Sequence, residues 1–410
     1  MNISPNFSPP IALMKPYFTL SGLFYVLSMF GLFFLNPQIA LDNFSLIGWV
    51  HLYMLGFVMM AIFAAMAQLS PIVIETKHYS VKIFNYLWYF LIAGLILMLV
   101  GFYIDIAYLL YGGSLVLISM LIYAVEFILT LKNSKRKTSI TKAMWMSNFF
   151  LLLGILTGLV MASAFNGYID INPDDILNIH TFGLLVGFII LLIMGISIIL
   201  IPMFGSSSRI SDNEFTSSFY TVVFGVIVMM LSPFIYTAIL ESISYTIVST
   251  AILLYFYQLY KMTSSRKRNT HDIWAKHMYL AFSSFILAFI LLVSFIFTND
   301  LTTLKLSMYI MFIGFFGFVI LGNFYKIIPF LVWFHVYSPL IEEQAVPMLH
   351  ELVPKRLASL QFFYSSLGFI LSIIGLLLNN NSLFIGGSVL LIAGGIIFFI
   401  IINKILNAKA

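Results

Sequence analysis

The sequence predicts an all-α polytopic membrane protein with twelve transmembrane helices in three pseudo-repeated four-helix arcs. The 410-residue chain is 61% hydrophobic and only 9% charged, and its mean hydropathy is +1.05. This composition suits lipid as the surrounding solvent and excludes a soluble globular protein. Apolar windows of about twenty residues, each long enough to cross the hydrocarbon core, recur along the chain. The predicted spans are 17–35, 46–70, 84–104, 107–130, 144–163, 177–203, 215–237, 240–260, 275–298, 306–328, 359–379 and 383–403.

The connectors between these spans alternate in charge. One set holds almost all the basic residues, and the other is acidic, with Lys305 as its basic residue. The positive-inside rule therefore predicts that both termini are cytoplasmic and that the chain is a multi-pass protein of the cell's inner membrane. The pI of about 9.1 reflects these orientation signals, so we expect the lipid bilayer as a partner and no nucleic acid. The basic connectors contain Lys77 and Lys82, residues 132–142, Arg209, residues 261–276, and Lys355 with Arg356.

The absence of cysteine limits the chemistry. Without this residue the chain forms no disulfide, thiolate metal site, iron–sulfur cluster or covalently attached c-type haem. Metal binding would have to use histidine, methionine, tyrosine or carboxylate side chains. The sequence also lacks a glycine-rich phosphate loop, an HExxH helix, a nucleophile elbow and an EF-hand loop.

Three segments share a pattern in which an apolar helix of spanning length closes with a proline: 51–74, 180–204 and about 307–330. The closing prolines, Pro71, Pro202 and Pro329, lie about 130 residues apart, a spacing that suits a repeated four-helix membrane unit. Each proline is predicted to end its helix. The repeat units are predicted at approximately 17–130, 144–260 and 275–403 within a single transmembrane domain, 1–410.

The helix starts of these copies carry a second pattern. Asn43 and Asn172 are predicted N-caps, and each precedes a histidine, His51 or His180, by eight residues. The same count from Asn299 reaches Ser307, so the third copy lacks the histidine. The two histidines are thus predicted to lie at equivalent positions near the outer side.

A histidine inside a membrane helix is costly unless it is paired, hydrated or bound. One interpretation of His51 and His180 is that they ligate a haem or a copper ion between the second and sixth helices. Gly183 and Gly187 lie three and seven residues after His180, and they predict a bare helix face that a flat macrocycle could approach. The alternative is that both histidines bond loop carbonyls and that the glycines serve helix packing.

Five further residues are weaker candidates. His335 follows Trp333 in an aromatic stretch that is typical of a membrane interface, and His277 lies at the predicted inner start of the ninth helix. Gln68, Ser197 and Tyr325 are polar groups in the repeat helices. They are candidates for a polar path between arcs, and each would equally well bond the backbone or a neighbouring helix.

The arrangement resembles subunit I of the haem–copper oxidases and, more closely, the NnrS-type membrane proteins and related oxidase-like proteins. In the oxidases a helix 2 histidine ligates a low-spin haem and a helix 6 histidine ligates copper, so the resemblance implies a haem b or copper site at His51 and His180. NnrS-type proteins are associated with haem and copper binding and with nitric oxide tolerance. The resemblance is carried by WVHLYMLGF at 49–57, QLSPIVI at 68–74, HTFGLLVGF at 180–188, IPMFG at 201–205 and YKIIPFLVWFH at 325–335.

The sequence departs from the oxidases where they carry further histidines. Residues 215–237 contain none, and the outer end of the tenth predicted helix has Ser307, Met308 and Tyr309 instead. Proton-pumping oxygen reduction is therefore disfavoured, and an enzyme of this kind would be a haem-dependent oxidoreductase with a respiratory-chain or electron-donor partner. Two functional classes stay open. The first is a haem- or copper-binding protein of nitric oxide response or respiratory metabolism, and the second is a cofactor-free permease or a respiratory-complex assembly or scaffold subunit.

Overall fold

The computed structural model describes residues 9–133, 137–235, 237–266 and 272–408. Within these ranges the chain has twelve helices long and apolar enough to span a membrane and no β-strand, which confirms the all-α polytopic membrane class. The helices are α1 (Ile11–Gly31), α2 (Phe44–His51, Leu52–Met59 and Met60–Ile74), α3 (Leu87–Tyr103), α4 (Tyr108–Lys132), α5 (Ser139–Phe165), α6 (Pro173–Phe182, Gly183–Ile190 and Leu191–Gly205), α7 (Asp212–Ile235), α8 (Thr237–Ser264), α9 (Ile273–Thr298), α10 (Leu301–Tyr309, Ile310–Gly317 and Phe318–Val332), α11 (Lys355–Leu377) and α12 (Asn381–Leu406).

The helices α2, α6 and α10 are interrupted in the same way. The middle segment of each is a π-helix of eight residues. Each π-helical segment begins 19 residues before the proline of its helix, so the three share one register relative to Pro71, Pro202 and Pro329. Because π-helical turns are rare and favour functional sites, a threefold occurrence in one register marks these helices as a structural repeat.

The repeated prolines do not end their helices, and that prediction was wrong. Pro71, Pro202 and Pro329 all lie inside helical segments, and each segment continues for three residues beyond its proline. Proline removes one hydrogen bond and crowds the carbonyl four residues earlier. Membrane helices tolerate this because neighbouring groups and local adjustments of the helix satisfy the freed backbone.

The helix starts of the three copies differ in one place. The side chains of Asn43 and Asn172 accept hydrogen bonds from first-turn amides, which confirms both as N-caps. In the third copy Asn299 instead ends α9 in the left-handed conformation, with φ of 53°, which asparagine tolerates better than most residues. Asp300 is the N-cap of α10 and accepts from the amides of Thr302 and Thr303.

The chain divides into two compact units. Unit 1 extends from Gln68 to Asn269 and contains the end of α2 and helices α3 to α8. Unit 2 contains residues 9–67, and therefore α1 and most of α2, together with α9 to α12 from residue 270 onwards. This division falls within α2, whereas the predicted repeat units divide between arcs. His51 belongs to unit 2 and His180 to unit 1.

Candidate functional site

In unit 1 a histidine of α6 is hydrogen-bonded to α5 beside a glycine that α5 contributes. His180 Nδ1 lies 2.7 Å from the carbonyl oxygen of Gly154 on α5. Because a carbonyl only accepts, the ring hydrogen is on Nδ1 and His180 donates it. Gly158 makes room for this ring, since a methyl group there would lie 2.6 Å from Cε1 of His180.

The same hydrogen bond recurs twice in unit 2 with a different donor. Trp49 Nε1 donates to the carbonyl of Ser28 on α1 at 2.8 Å, and Ser307 Oγ donates to the carbonyl of Ala288 on α9 at 2.7 Å. Trp49, His180 and Ser307 all stand 22 residues before the proline of their helix. One position of the repeat therefore always donates to a carbonyl of the preceding helix.

A glycine follows each of these donors by seven residues and lies inside the π-helical segment. A methyl group added at any of the three would lie 2.5 to 2.7 Å from a side chain of a neighbouring helix. The contacted residue of the preceding helix is always four positions before the accepting carbonyl, and hence one turn away. We call each donor and glycine together an interhelical clamp. The glycines and the contacted residues are Gly56 with Phe24, Gly187 with Phe150, and Gly314 with Ser284.

The clamp corrects the predicted equivalence of His51 and His180. Counted from the prolines, His51 stands 20 residues back, in register with Phe182 and Tyr309, whereas His180 is in register with Trp49. His51 Nδ1 lies 2.8 Å from the carbonyl of Ile47 in its own helix, so it does not bond another helix through this atom. The prediction was wrong because it counted from the caps, and α2 is two residues shorter than α6 between its cap and its proline.

The predicted open face at Gly183 and Gly187 is closed. A methyl group at Gly183 would lie 2.9 Å from Cε of Met230 on α7, and one at Gly187 would lie 2.7 Å from Cγ of Phe150 on α5. The bare face prediction was therefore wrong, because helices α5 and α7 fill the space that the glycines leave. This geometry fits the alternative interpretation, in which small residues let membrane helices approach closely.

In unit 2 the π-helical segments of α2 and α10 are joined directly. Tyr53 donates its hydroxyl to the carbonyl of Phe312 at 2.7 Å, and Trp49 stacks on the Tyr53 ring with centroids 5.5 Å apart. Gly317 leaves room for that hydroxyl, since a methyl group there would lie 3.2 Å from it. Aromatic rings thus pack these two segments against each other.

The two histidines of the predicted metal site share one feature that suits ligation. His51 and His180 both donate Nδ1–H to a carbonyl, which leaves Nε2 with its lone pair, the form that binds metals. Among the residues that the structure describes, no group of three His, Asp or Glu side chains could hold a metal ion. The haem or copper site at His51 and His180 stays a prediction.

A buried polar network joins α9, α10 and α11 in unit 2. The side chain of His277 is 0% exposed, with Nδ1 2.8 Å from the carbonyl of Ile273 and Nε2 3.1 Å from Oε1 of Gln361. Tyr325 donates its hydroxyl to the same Oε1 at 3.0 Å. The sequence suggested separate roles for His277 and Tyr325, and the structure brings them together on one amide.

Gln361 is the residue that sequence reasoning missed. Its Nε2 donates to Ser365 Oγ at 2.9 Å, and the hydroxyl of Tyr25 on α1 lies beside the Ser365 side chain. Both Gln361 and Ser365 are 0% exposed. The available signal was that Gln361 is the only side-chain amide of α11 and stands one turn before a serine, on the same helix face.

The other predicted polar residues lie outside this network. Ser197 shares a 2.8 Å hydrogen bond with the hydroxyl of Tyr255 on α8, so it bonds a neighbouring helix, as its second interpretation allowed. Gln68 is buried at 1% exposure, three residues before Pro71. His335 is half-buried and is hydrogen-bonded to the Pro9 carbonyl, within a stretch whose aromatic residues fit a membrane interface.

A second buried cluster lies in unit 1, at the end of α4. His78 Nδ1 lies 2.9 Å from Oε1 of Glu126, and each side chain is 1% exposed. Thr130 donates its hydroxyl to the same oxygen at 2.7 Å and accepts from the amide of Tyr79 at 2.9 Å. The cluster attaches the connector after α2 to α4. We therefore interpret it as an anchor for that connector.

Comparison with known proteins adds no assignment. No protein-family model matches the chain, and no curated protein matches it significantly. The resemblance to the haem–copper oxidases and NnrS-type proteins stays an expectation from the sequence.

Proposed function

We propose that this integral membrane protein is a cofactor-free permease that carries protons, with His277, Gln361 and Tyr325 as its membrane-embedded site. The observation that supports this most directly is the fully buried imidazole of His277, bonded through Gln361 to Tyr325. An ionisable group inside a membrane helix costs on the order of a few kcal/mol when it is charged. Chains keep such groups mainly where a proton or an ion must be handled.

The position of Tyr325 on α10 supports the same proposal. Tyr325 stands four residues before Pro329, which has no N–H to bond the Tyr325 carbonyl. The helix is therefore weakened at the residue that contributes a hydroxyl to the site. Helices interrupted by glycine and proline in corresponding positions of internal repeats are typical of transporter binding sites, and α2, α6 and α10 are interrupted in this way.

The depth of the site also suits proton entry from the end that is predicted to be cytoplasmic. His277 stands four residues after the start of α9, and Gln361 six residues after the start of α11. At 1.5 Å of rise per residue these positions lie about 6 Å and about 9 Å inside their helix ends. Ser365 continues the network one turn further along α11, beside Tyr25 of α1.

Proton flux into proteoliposomes tests this proposal. The purified protein is reconstituted with a pH-sensitive dye inside the vesicles, and a potassium diffusion potential with valinomycin drives proton entry. We expect flux above that of empty vesicles, and we expect Tyr325→Phe and Gln361→Leu to reduce it at least tenfold because they remove hydrogen-bonding groups of the site.

Two exposed positions give matched controls. Tyr257 is 61% exposed on α8, and His350 is exposed in the connector before α11. Tyr257→Phe and His350→Gln should leave the flux unchanged. Flux no greater than in empty vesicles, or equal flux in all four variants, would refute the proton permease.

A haem or copper protein of nitric oxide response or respiratory metabolism is the second candidate. One observation favours it: His51 and His180 each donate Nδ1–H to a carbonyl, as metal-ligating histidines commonly do. The closed glycine face counts against a macrocycle beside Gly183 and Gly187. Bound haem or copper would supply electron transfer or ligand binding that the side chains alone cannot provide.

Absorption spectroscopy and metal analysis test this second candidate. Oxidised and dithionite-reduced spectra, with pyridine haemochrome, are recorded on protein purified from haem-replete cells. A stoichiometric b-type signal or bound copper that is lost in His51→Ala and His180→Ala would establish a cofactor. A colourless, metal-free and folded protein would exclude it and leave the permease.

A further inference from the structure

We propose that His277 binds a proton at Nε2 and that the side-chain amide of Gln361 reverses when it does. The use of this switch in transport rests on the proposed function. The switch itself is argued only from the hydrogen-bonding groups of the network. The ligand is a proton, and the responding element is an amide in the neighbouring helix α11.

The hydrogens of the network can be assigned from its acceptors. His277 Nδ1 faces the carbonyl of Ile273, which only accepts, so Nδ1 carries a hydrogen. In the arrangement described above, Nε2 faces the Oε1 of Gln361, which also only accepts. Both ring nitrogens then carry a hydrogen, and this arrangement is that of the protonated imidazolium.

The neutral imidazole requires the opposite arrangement of the amide. Once the proton leaves, Nε2 presents a lone pair and needs a donor. Rotation of the amide by 180° places the NH₂ group of Gln361 towards His277 and Tyr325, and Oε1 towards Ser365. The two ends of an amide have nearly the same size, so this reversal requires no repacking.

The reversal extends along α11 to Ser365. In the protonated arrangement Gln361 donates to Ser365 Oγ. In the neutral arrangement Ser365 donates to Gln361 Oε1. Tyr325 changes from a donor to an acceptor at the same time. One proton at α9 thus reverses the hydrogen bonds that Gln361 makes with α10 and within α11.

Packing confines the change to the amide and the hydroxyls. A methyl group at Gly322 would lie 2.7 Å from Cβ of His277, so α10 lies directly against this residue. The rings of Phe362 and Phe318 lie with centroids 4.9 Å and 5.7 Å from the imidazole. The imidazole cannot rotate away from Gln361 without displacing these rings.

The charged and titratable groups around the site do not replace Gln361 as the partner of the imidazolium. On α9, Lys276 precedes His277, and Asp272 is paired at 2.7 Å with Lys326 of α10. Tyr325 is the titratable group that α10 places on the network. On α11 the charged groups are Lys355 and Arg356 at its start, and on α1 Tyr25 lies beside Ser365.

Nitrogen NMR of the imidazole tests the proton site. Protein with ¹⁵N-histidine is placed in lipid nanodiscs and titrated with pH, and the His277 signals are identified by their loss in His277→Gln. Gln361→Glu should raise the protonation midpoint by at least one pH unit, because a carboxylate stabilises the imidazolium. Gln361→Leu should lower it by at least one unit, because the second N–H loses its acceptor. Equal midpoints in all three proteins would overturn the proposal.

A second measurement needs no variant of Gln361. Infrared difference spectra of the wild-type protein, with and without isotope-labelled glutamine, are recorded across the His277 midpoint. A shifted glutamine side-chain band is expected if the amide reverses, and an unchanged band across a completed titration would overturn the reversal. His350→Gln is the matched histidine control and should leave both readouts unchanged.

The two proposals fail separately. Shifted midpoints without liposome flux would keep the proton switch and remove the permease. Flux with unshifted midpoints would keep the permease and remove the switch.

Discussion

The histidines at 180 and 277 both lie inside membrane helices, and their hydrogen-bonding partners differ. His180 donates to the backbone carbonyl of Gly154, beside a glycine that makes room for its ring. His277 donates to a backbone carbonyl through one nitrogen and faces the side chain of Gln361 through the other. The partner of His180 Nδ1 is a backbone carbonyl that the helix fixes, whereas the side-chain amide that His277 Nε2 faces can reverse.

This difference separates a packing role at His180 from the chemical role that we propose for His277. A tryptophan and a serine replace histidine at the clamp position of the other two copies and make the same bond. That position therefore needs only a hydrogen donor. The network around His277 instead joins the imidazole to a side-chain amide, and there we propose that a proton binds. A membrane histidine is a better functional candidate when its partner is another side chain than when it is a backbone carbonyl.

The largest effect expected is at the glycine of a clamp. In Gly187→Ala the new methyl group would lie 2.7 Å from Cγ and 2.9 Å from Cβ of Phe150, so α5 and α6 must move apart. We expect a loss of about 1–3 kcal/mol in the free energy of unfolding, the usual cost of overpacking. Unfolding in mixed detergent measures it.

Gly195→Ala is the matched control for that variant, since a methyl group at this position of the same helix meets Ala143 Cβ at an ordinary 3.4 Å. Gly56→Ala and Gly314→Ala should lose about as much stability as Gly187→Ala. A loss of stability in only one of the three variants would show that the three clamps are not equivalent.

The next effect concerns a clamp donor. Trp49→Phe keeps a large aromatic ring and removes the Nε1–H that bonds the Ser28 carbonyl. Leaving a buried acceptor without its donor costs about 1–3 kcal/mol. Trp145→Phe, at a tryptophan that is 46% exposed, should cost less than half as much. Equal melting temperatures for these two variants would show that the bond to Ser28 does not hold α1 and α2 together.

These clamps explain how much of the fold could be predicted. Hydropathy identified all twelve spans because lipid demands a long apolar run from each helix. It did not place the ends, and the predicted start at residue 17 excluded Pro16, which lies inside α1. Periodicity did not reveal the π-helical segments, or that the glycines inside them meet specific side chains of other helices.

The candidate site was predicted only in part, for a similar reason. His277 and Tyr325 stood out as polar residues in apolar helices, yet Gln361 is 84 positions from His277. Sequence patterns within one helix do not reveal which helices pack together. His51 and His180 were matched by counting from the caps, and only the π-helical register showed that the count differs by two residues.

A smaller effect on stability is expected at the network, with a large effect on function. Tyr325→Phe removes one hydrogen bond to Gln361 and retains the ring, so the free energy of unfolding should fall by only about 0.5–1.5 kcal/mol. Proton flux should fall at least tenfold. For Gly187→Ala at the clamp we expect the reverse, lower stability with retained flux per folded molecule. If proton flux and stability fell together in both variants, the clamp and the network around His277 would not have distinct roles.

The smallest effect concerns the caps that begin the clamp helices, one of which is titratable. The side-chain hydroxyl of Thr303, with the amides of Thr302 and Thr303, holds the pKa of Asp300 below its usual value of 3.8. Because the folded pKa is the lower one, the charged cap contributes its full stability above the unfolded pKa. That contribution is lost as the pH falls through the folded pKa. The melting temperature of the wild-type protein should therefore exceed that of Asp300→Asn at neutral pH, and the difference should shrink below pH 3.8 and disappear once the pH is below the folded pKa.

The cap of α6 provides the comparison for that pH dependence. Asn172 accepts the same kind of bond without a charge, so Asn172→Ala should cost about 1 kcal/mol at both pH values. Thermal melts in detergent at the two pH values measure both variants. As with the two histidines, pH sensitivity arises only where a group of the hydrogen bond can gain or lose a proton. A difference between wild type and Asp300→Asn that persists in acid would show that Asp300 stabilises α10 through its shape and not its charge.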